Sequence, residues 1–305
     1  MATVIPSRRH LLLAVILLLA PFLEDLYGAE GPRVLAERDV DILYEPSMET
    51  AAEESARVYP AIRKSLEKIF QWKIDFRPTV YLVRSHQQFL RMAGTEMVVA
   101  FALPSRKLIA IDYSKMSAHP FSIEVTLKHE LCHLLLHERI PQSDLPFWLD
   151  EGLAQWVSGG ISELIMPRKR SLLEEATLAG REVAIADLER RFRRERDSLL
   201  LAYEASKSLV DYIIQEHGQE KLLEVLGYLE MGYGPEGALE KGLSLSQEAL
   251  EKAWHEDLRR RVTWIHFLIS NMYEILFFLA ALIVAYGFLR ALAKKRAYLR
   301  QMDDE

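Results

Sequence analysis

Residues 126–137, TLKHELCHLLLH, place three histidines and one glutamate in an otherwise apolar run. The surrounding FSIEVTLKHELCHLLLHER has helical spacing of its apolar residues, with Ser122 as a candidate cap. On a helix His129 and His133 stand one turn apart on the same face, about 6 Å along the axis, so both imidazoles reach one metal ion. Glu130 lies about 100° round from His129, close enough to hold a water but poorly placed as a ligand beside the two histidines. His137 continues the face, yet eight residues put it about 12 Å from His129, too far to share one ion. No glycine after His133 turns the chain back, so His137 reads as a histidine near the helix C-terminal dipole.

A third ligand is available downstream in LPFWLDEGLAQWVSGG, where a second helix is predicted to start near Pro146. A turn at RIPQSD would fold this helix back on the first and aim Glu151 at the metal. The single cysteine, Cys132, excludes both a disulfide framework and a cage of several cysteines, so any zinc must use histidine and carboxylate. Two histidines and one carboxylate leave a fourth zinc position for water, as in a catalytic site. His-Glu-x-x-His is the arrangement of zinc metalloproteases, in which the glutamate takes the proton of the attacking water and passes it to the leaving amine.

The elements that must carry these residues are legible around them. RDVDILYE alternates like a strand, METAAEESARVYPAIRKSLEKIF has helical spacing, and PTVYLVRS is a second strand. HQQFLRMAG predicts a short helix ended by Gly94, and MVVAFALPSRKLIAIDYS predicts a hairpin turning at Pro104 and Ser105. From there to residue 262 the patterning is almost all helical. This is α+β organisation: a small mixed sheet followed by a mostly helical half that carries the zinc site. No repeat or low-complexity linker divides the body, so residues 30–262 are expected to form one domain.

Both ends carry membrane signals. Arg8 and Arg9 precede an apolar run from Leu11 to Leu23, short for a spanning helix but suited to a signal peptide or signal anchor over residues 1–29. A transmembrane helix is expected at 263–290, where from Trp264 to Leu289 only Glu274 is charged. Arg290, Lys294, Lys295, Arg296 and Arg300 follow, so a cytoplasmic tail is expected at 291–305 and the main domain on the extracytoplasmic side of the inner membrane. The lone asparagine, Asn271, forms no glycosylation sequon, which favours a bacterial envelope. A net charge of −6 with scattered basic residues argues against nucleic acid as a partner.

HELCH followed by WLDEGLA resembles the gluzincin branch of zinc peptidases, and the layout over roughly residues 35–260 is similar to bacterial peptidase MA-like domains. The resemblance implies a zincin-like fold, a Zn2+ cofactor held by His129, His133 and Glu151, and Glu130 as catalytic base. It also implies that Tyr203, in LAYEASKSL, donates to the transition state, with Tyr212 the weaker alternative and a packed aromatic the other reading of Tyr203. Relatives usually carry asparagine where Asp150 stands; the acid reads equally as an acceptor behind the ligands or as a surface residue. The implied protein is a membrane-tethered zinc metallopeptidase acting on peptide or protein substrates, with the lipid bilayer as a second partner. The alternative is a zinc-stabilised, non-catalytic domain that binds an envelope protein. An intramembrane protease does not fit, because HELCH lies in the body of the chain, more than a hundred residues from the second apolar segment.

Overall fold

The computed structural model describes residues 31–116, 121–159, 171–191 and 196–270, and beyond these 272, 276–284, 286–288 and 290. The expected leader at 1–29 and tail at 291–305 lie outside the described residues.

Five strands, β1 (Arg33–Ala36), β2 (Asp41–Tyr44), β3 (Thr79–Val83), β4 (Ala100–Leu103) and β5 (Leu108–Asp112), form one sheet in the order β1-β2-β3-β5-β4. Both outer pairs are antiparallel, while β2/β3 and β3/β5 are parallel, so the sheet is mixed as expected. Helix α1 (Glu49–Phe70) supplies the crossover between β2 and β3, and α2 (His86–Ala93) follows β3. The Ser85 hydroxyl caps α2 by accepting from Gln88 N–H, and Gly94 closes it at φ 70°, a conformation glycine adopts without steric cost. β3 and β5 are central, and Val80, Leu82, Ile109 and Ile111 are fully buried. The opposite face of the sheet gathers Leu43 of β2, Tyr81 and Val83 of β3, and Leu108 and Ala110 of β5 around Phe89 of α2. The β4/β5 hairpin turns through a short 3-10 segment, Pro104–Arg106, with Lys107 in the left-handed region at φ 50°.

The helical half begins with α3 (Ile123–Arg139) and α4 (Phe147–Ser158). It continues through α5 (Leu172–Leu178), α6 (Ile185–Arg191), α7 (Arg196–His217), α8 (Gln219–Glu230), α9 (Pro235–Leu243) and α10 (Gln247–Ser270). α3 packs on β4, β5 and α1, while α4 lies against both α3 and α7. α3 is buried almost all round from Ile123 to Leu136, so its polar residues must find partners inside the protein.

The chain sorts into two compact units. The described residues among 1–173 and 183–251 make the first, which holds the sheet and α3, α4, α6, α7, α8 and α9. Residues 174–182 with the described residues from 252 onward make the second. In the second, buried Trp254 stacks on His255, and Glu182 pairs with Arg259 at 3.3 Å.

The expected membrane helix at 263–290 is corrected. Among the described residues no helix is long and apolar enough to cross a membrane. The apolar count started at Trp264 inside α10, a helix that begins at Gln247 and carries Glu251, Lys252, Glu256, Asp257 and Arg259–Arg261. The bilayer contact expected through that helix loses its basis with it.

Candidate metal centre

α3 is capped by the Ser122 hydroxyl, which accepts from Val125 N–H at 3.2 Å, and it ends at Ile140, whose N–H closes on the Leu136 carbonyl. This register turns His129 and His133 to one face, where their Nε2 atoms stand 3.1 Å apart. The turn after α3 returns the chain into α4 at Pro146. Glu151, one turn into α4, then places its carboxylate oxygens 3.8 Å from His129 Nε2 and 3.9 Å from His133 Nε2. The ligating atoms of His129, His133 and Glu151 all lie within 4.8 Å of one another, and all three residues are buried. Glu130 is fully buried on α3 beside them.

The outer ring nitrogens decide which atoms face inward. His133 Nδ1 lies 2.7 Å from Asp150 Oδ1, and His129 Nδ1 lies 3.5 Å from Ser158 Oγ. The Ser158 hydroxyl already donates to the Ala154 carbonyl at 2.8 Å, so it meets His129 as an acceptor. With both Nδ1 atoms donating, both Nε2 atoms present lone pairs. Two lone pairs facing at 3.1 Å repel, and a cation between them removes the repulsion. Zn–N bonds of about 2.0–2.1 Å at a tetrahedral angle separate two nitrogens by about 3.3 Å, close to the spacing seen. The donor set therefore fits a zinc ion.

Asp150 does more than the sequence distinguished. Its Oδ2 lies 2.9 Å from His137 Nε2, so one carboxylate receives two histidines. Burial pushes the Asp150 carboxyl up, but the electrostatic attraction and hydrogen bonds of the His133 and His137 N–H groups outweigh it and hold it well below the usual carboxylate range. His137, expected to serve only the helix dipole, instead joins this network. Two signals could have revealed it: the four-residue step from His133, and an acid in place of the amide, whose second oxygen needs a second donor. Ser158 was also missed, though it lies seven residues after Glu151 on the same face of α4.

Tyr203 reaches the site from α7, its hydroxyl donating to Glu151 Oε1 at 3.5 Å. Gln155, one turn beyond Glu151, donates from Nε2 to the Tyr203 carbonyl at 3.1 Å and ties α4 to α7 at that level. Gly152 permits the approach: a Cβ there would lie 2.5 Å from the Ser206 carbonyl oxygen and 2.6 Å from Val210 Cγ2. Tyr212, on the same helix, packs edge-on against His217.

A mixed sheet, a helix with two convergent histidines and a second helix returning a glutamate define an α+β, zincin-like domain. The chain belongs to the Peptidase MA superfamily, whose model matches residues 98–260, just over half of the sequence. Among solved structures it is similar to a mutant M1 zinc metallopeptidase from Deinococcus radiodurans bound to a Tyr-Ser-Ala substrate. That match has 14% identity and a TM-score of 0.37, and it covers 73% of this chain and 51% of the other. The chain thus spans about half the length of that structure, and the likeness decides nothing about activity. No curated protein matches.

Proposed function

We propose that this protein is a zinc-dependent peptidase that hydrolyses peptide bonds at the His129, His133 and Glu151 centre. The observation that carries the reading is the convergence of two Nε2 lone pairs at 3.1 Å with a buried carboxylate beside them. A zinc ion held there supplies an acidified water and a Lewis acid for the substrate carbonyl.

The chain's own residues do the rest. Glu130 is the general base, accepting the proton of the attacking water and delivering it to the leaving amine. It is fully buried, next to His129 in the chain. The Tyr203 hydroxyl is the donor for the oxygen that becomes negative in the transition state. Its contact with Glu151 holds that hydroxyl at the edge of the centre in the free enzyme. Asp150 and Ser158 keep both histidines in the tautomer that turns Nε2 inward.

Glu130→Gln tests the catalytic half of the reading. Hydrolysis of a mixed peptide library by the purified full chain should fall by at least about 10²-fold, the low end for a general base, while zinc content and melting temperature stay parental. A variant that cleaves as fast as the parent would contradict the role of Glu130. A parent that holds zinc yet cleaves nothing would favour the non-catalytic alternative.

A further inference from the structure

The Asp150 carboxylate is buried, with 10% of its side chain exposed, and each oxygen has its own histidine: Oδ1 at 2.7 Å from His133 and Oδ2 at 2.9 Å from His137. An ionised carboxylate only accepts, so both contacts require N–H from the rings. His133 and His137 are successive residues on one face of α3, and the carboxylate spans the gap between them from α4. An asparagine would serve His133 equally well with its oxygen but would present an N–H2 to His137. The acid and the third histidine therefore form a matched pair.

We propose that His137 is a positioning residue for the metal centre, acting through Asp150 on His133. Its Nε2–H fixes the second oxygen and hence the plane of the Asp150 carboxylate. That plane in turn holds His133 with Nδ1 protonated and Nε2 directed at His129 and Glu151. Without His137 the second oxygen is a buried acceptor with its donor removed. The carboxylate then gains by rotating towards water, which draws its first oxygen off the line to His133. The inference rests on the zinc-site reading above and adds to it a residue outside the three-ligand set.

The test compares zinc affinity, by competition with a chromogenic chelator, among the full-length parent, His137→Phe, His137→Gln, Asp150→Ala and the Asp150→Ala/His137→Phe double variant. His137→Phe keeps the ring and removes the donor, while the glutamine amide nitrogen falls close to the position of Nε2. Removing such an outer partner costs about 10-fold to 100-fold in metal affinity. His137→Phe should therefore bind zinc about 10-fold more weakly, and peptide turnover at saturating added zinc should lose kcat rather than gain KM. His137→Gln should recover most of the affinity. The double variant should be no weaker than Asp150→Ala alone, because both changes break one chain of contacts. Parental affinity in His137→Phe, a loss that glutamine does not rescue, or losses that add in full would overturn the inference while leaving the zinc site standing. A parent that binds no zinc would overturn both.

Discussion

The thiol of Cys132 sits between the two inward-facing histidines in sequence, yet its chemistry is suppressed. Burial pushes its pKa up, and the nearby Asp150 charge adds to the shift, so little thiolate forms near neutral pH. Iodoacetamide at pH 8 should leave Cys132 unmodified in the native protein and label it fully in denaturant, as read by intact mass; rapid native labelling would contradict its burial. Tyr203 makes the opposite kind of prediction. Tyr203→Phe removes one hydroxyl from the edge of the centre and should lower kcat by about 10²-fold with KM and zinc content unchanged; an unchanged kcat would return Tyr203 to the role of packed aromatic. At this scale the sequence was informative wherever a residue's task was set by its own helix. His129, Glu130 and His133 follow from helical geometry, whereas the Asp150 link to His137 depends on the rotation of α4 against α3, which no local pattern encodes.

Helix α4 supplies Glu151 because Gly152 lets it lie directly against the backbone of α7. Gly152→Ala gains about 1 kcal/mol in helix propensity, but its new methyl meets a backbone carbonyl that cannot move without shifting α7. Overpacking of this kind costs about 1–3 kcal/mol, so the variant should show a lower denaturant midpoint and weaker zinc binding; a midpoint above the parent would show that the helices can separate freely. Glu67, near the end of α1, fixes another junction, accepting from Ile74 N–H at 3.1 Å and from Lys73 at 3.2 Å. Burial raises its carboxyl, but these donors and Arg63 outweigh it and hold the pKa down. A depressed acid stabilises the fold above its unfolded pKa, about 4.3, and loses that contribution as pH falls through the folded value. Melting curves from pH 6 to pH 3 should therefore drop more steeply for the parent than for Glu67→Gln; parallel curves would remove Glu67 from the balance. Most elements were legible: the Ser122 and Gly94 caps, the hairpin at Pro104 and the helix start at Pro146 each rest on local chemistry. β1 was not, because four residues with no fully buried side chain leave no alternation to read.

Across the whole molecule, the family match begins at residue 98, so it spans β4 and β5 together with the helices of the site, while β1, β2, β3 and α1 precede it. Those earlier elements belong to the same compact unit as the site, and α1 packs on α3. Hydropathy read the far end differently from the structure, because it treats a window as one element, whereas residues 264–270 close α10, a helix that starts at Gln247 and is charged up to Arg261. The centre itself couples metal to fold: a ligand bound only by the native state at 100 times its Kd adds about 2.7 kcal/mol, so a chelator should lower the melting temperature of the parent and leave Glu151→Ala nearly unmoved. Equal shifts in both would place the metal elsewhere. The most direct measurement is zinc stoichiometry, by elemental mass spectrometry, on the full chain and its Glu151→Ala variant purified without chelators. The account predicts one zinc per parental chain and a greatly reduced content in the variant; no zinc in the parent, or equal zinc in both, would contradict it.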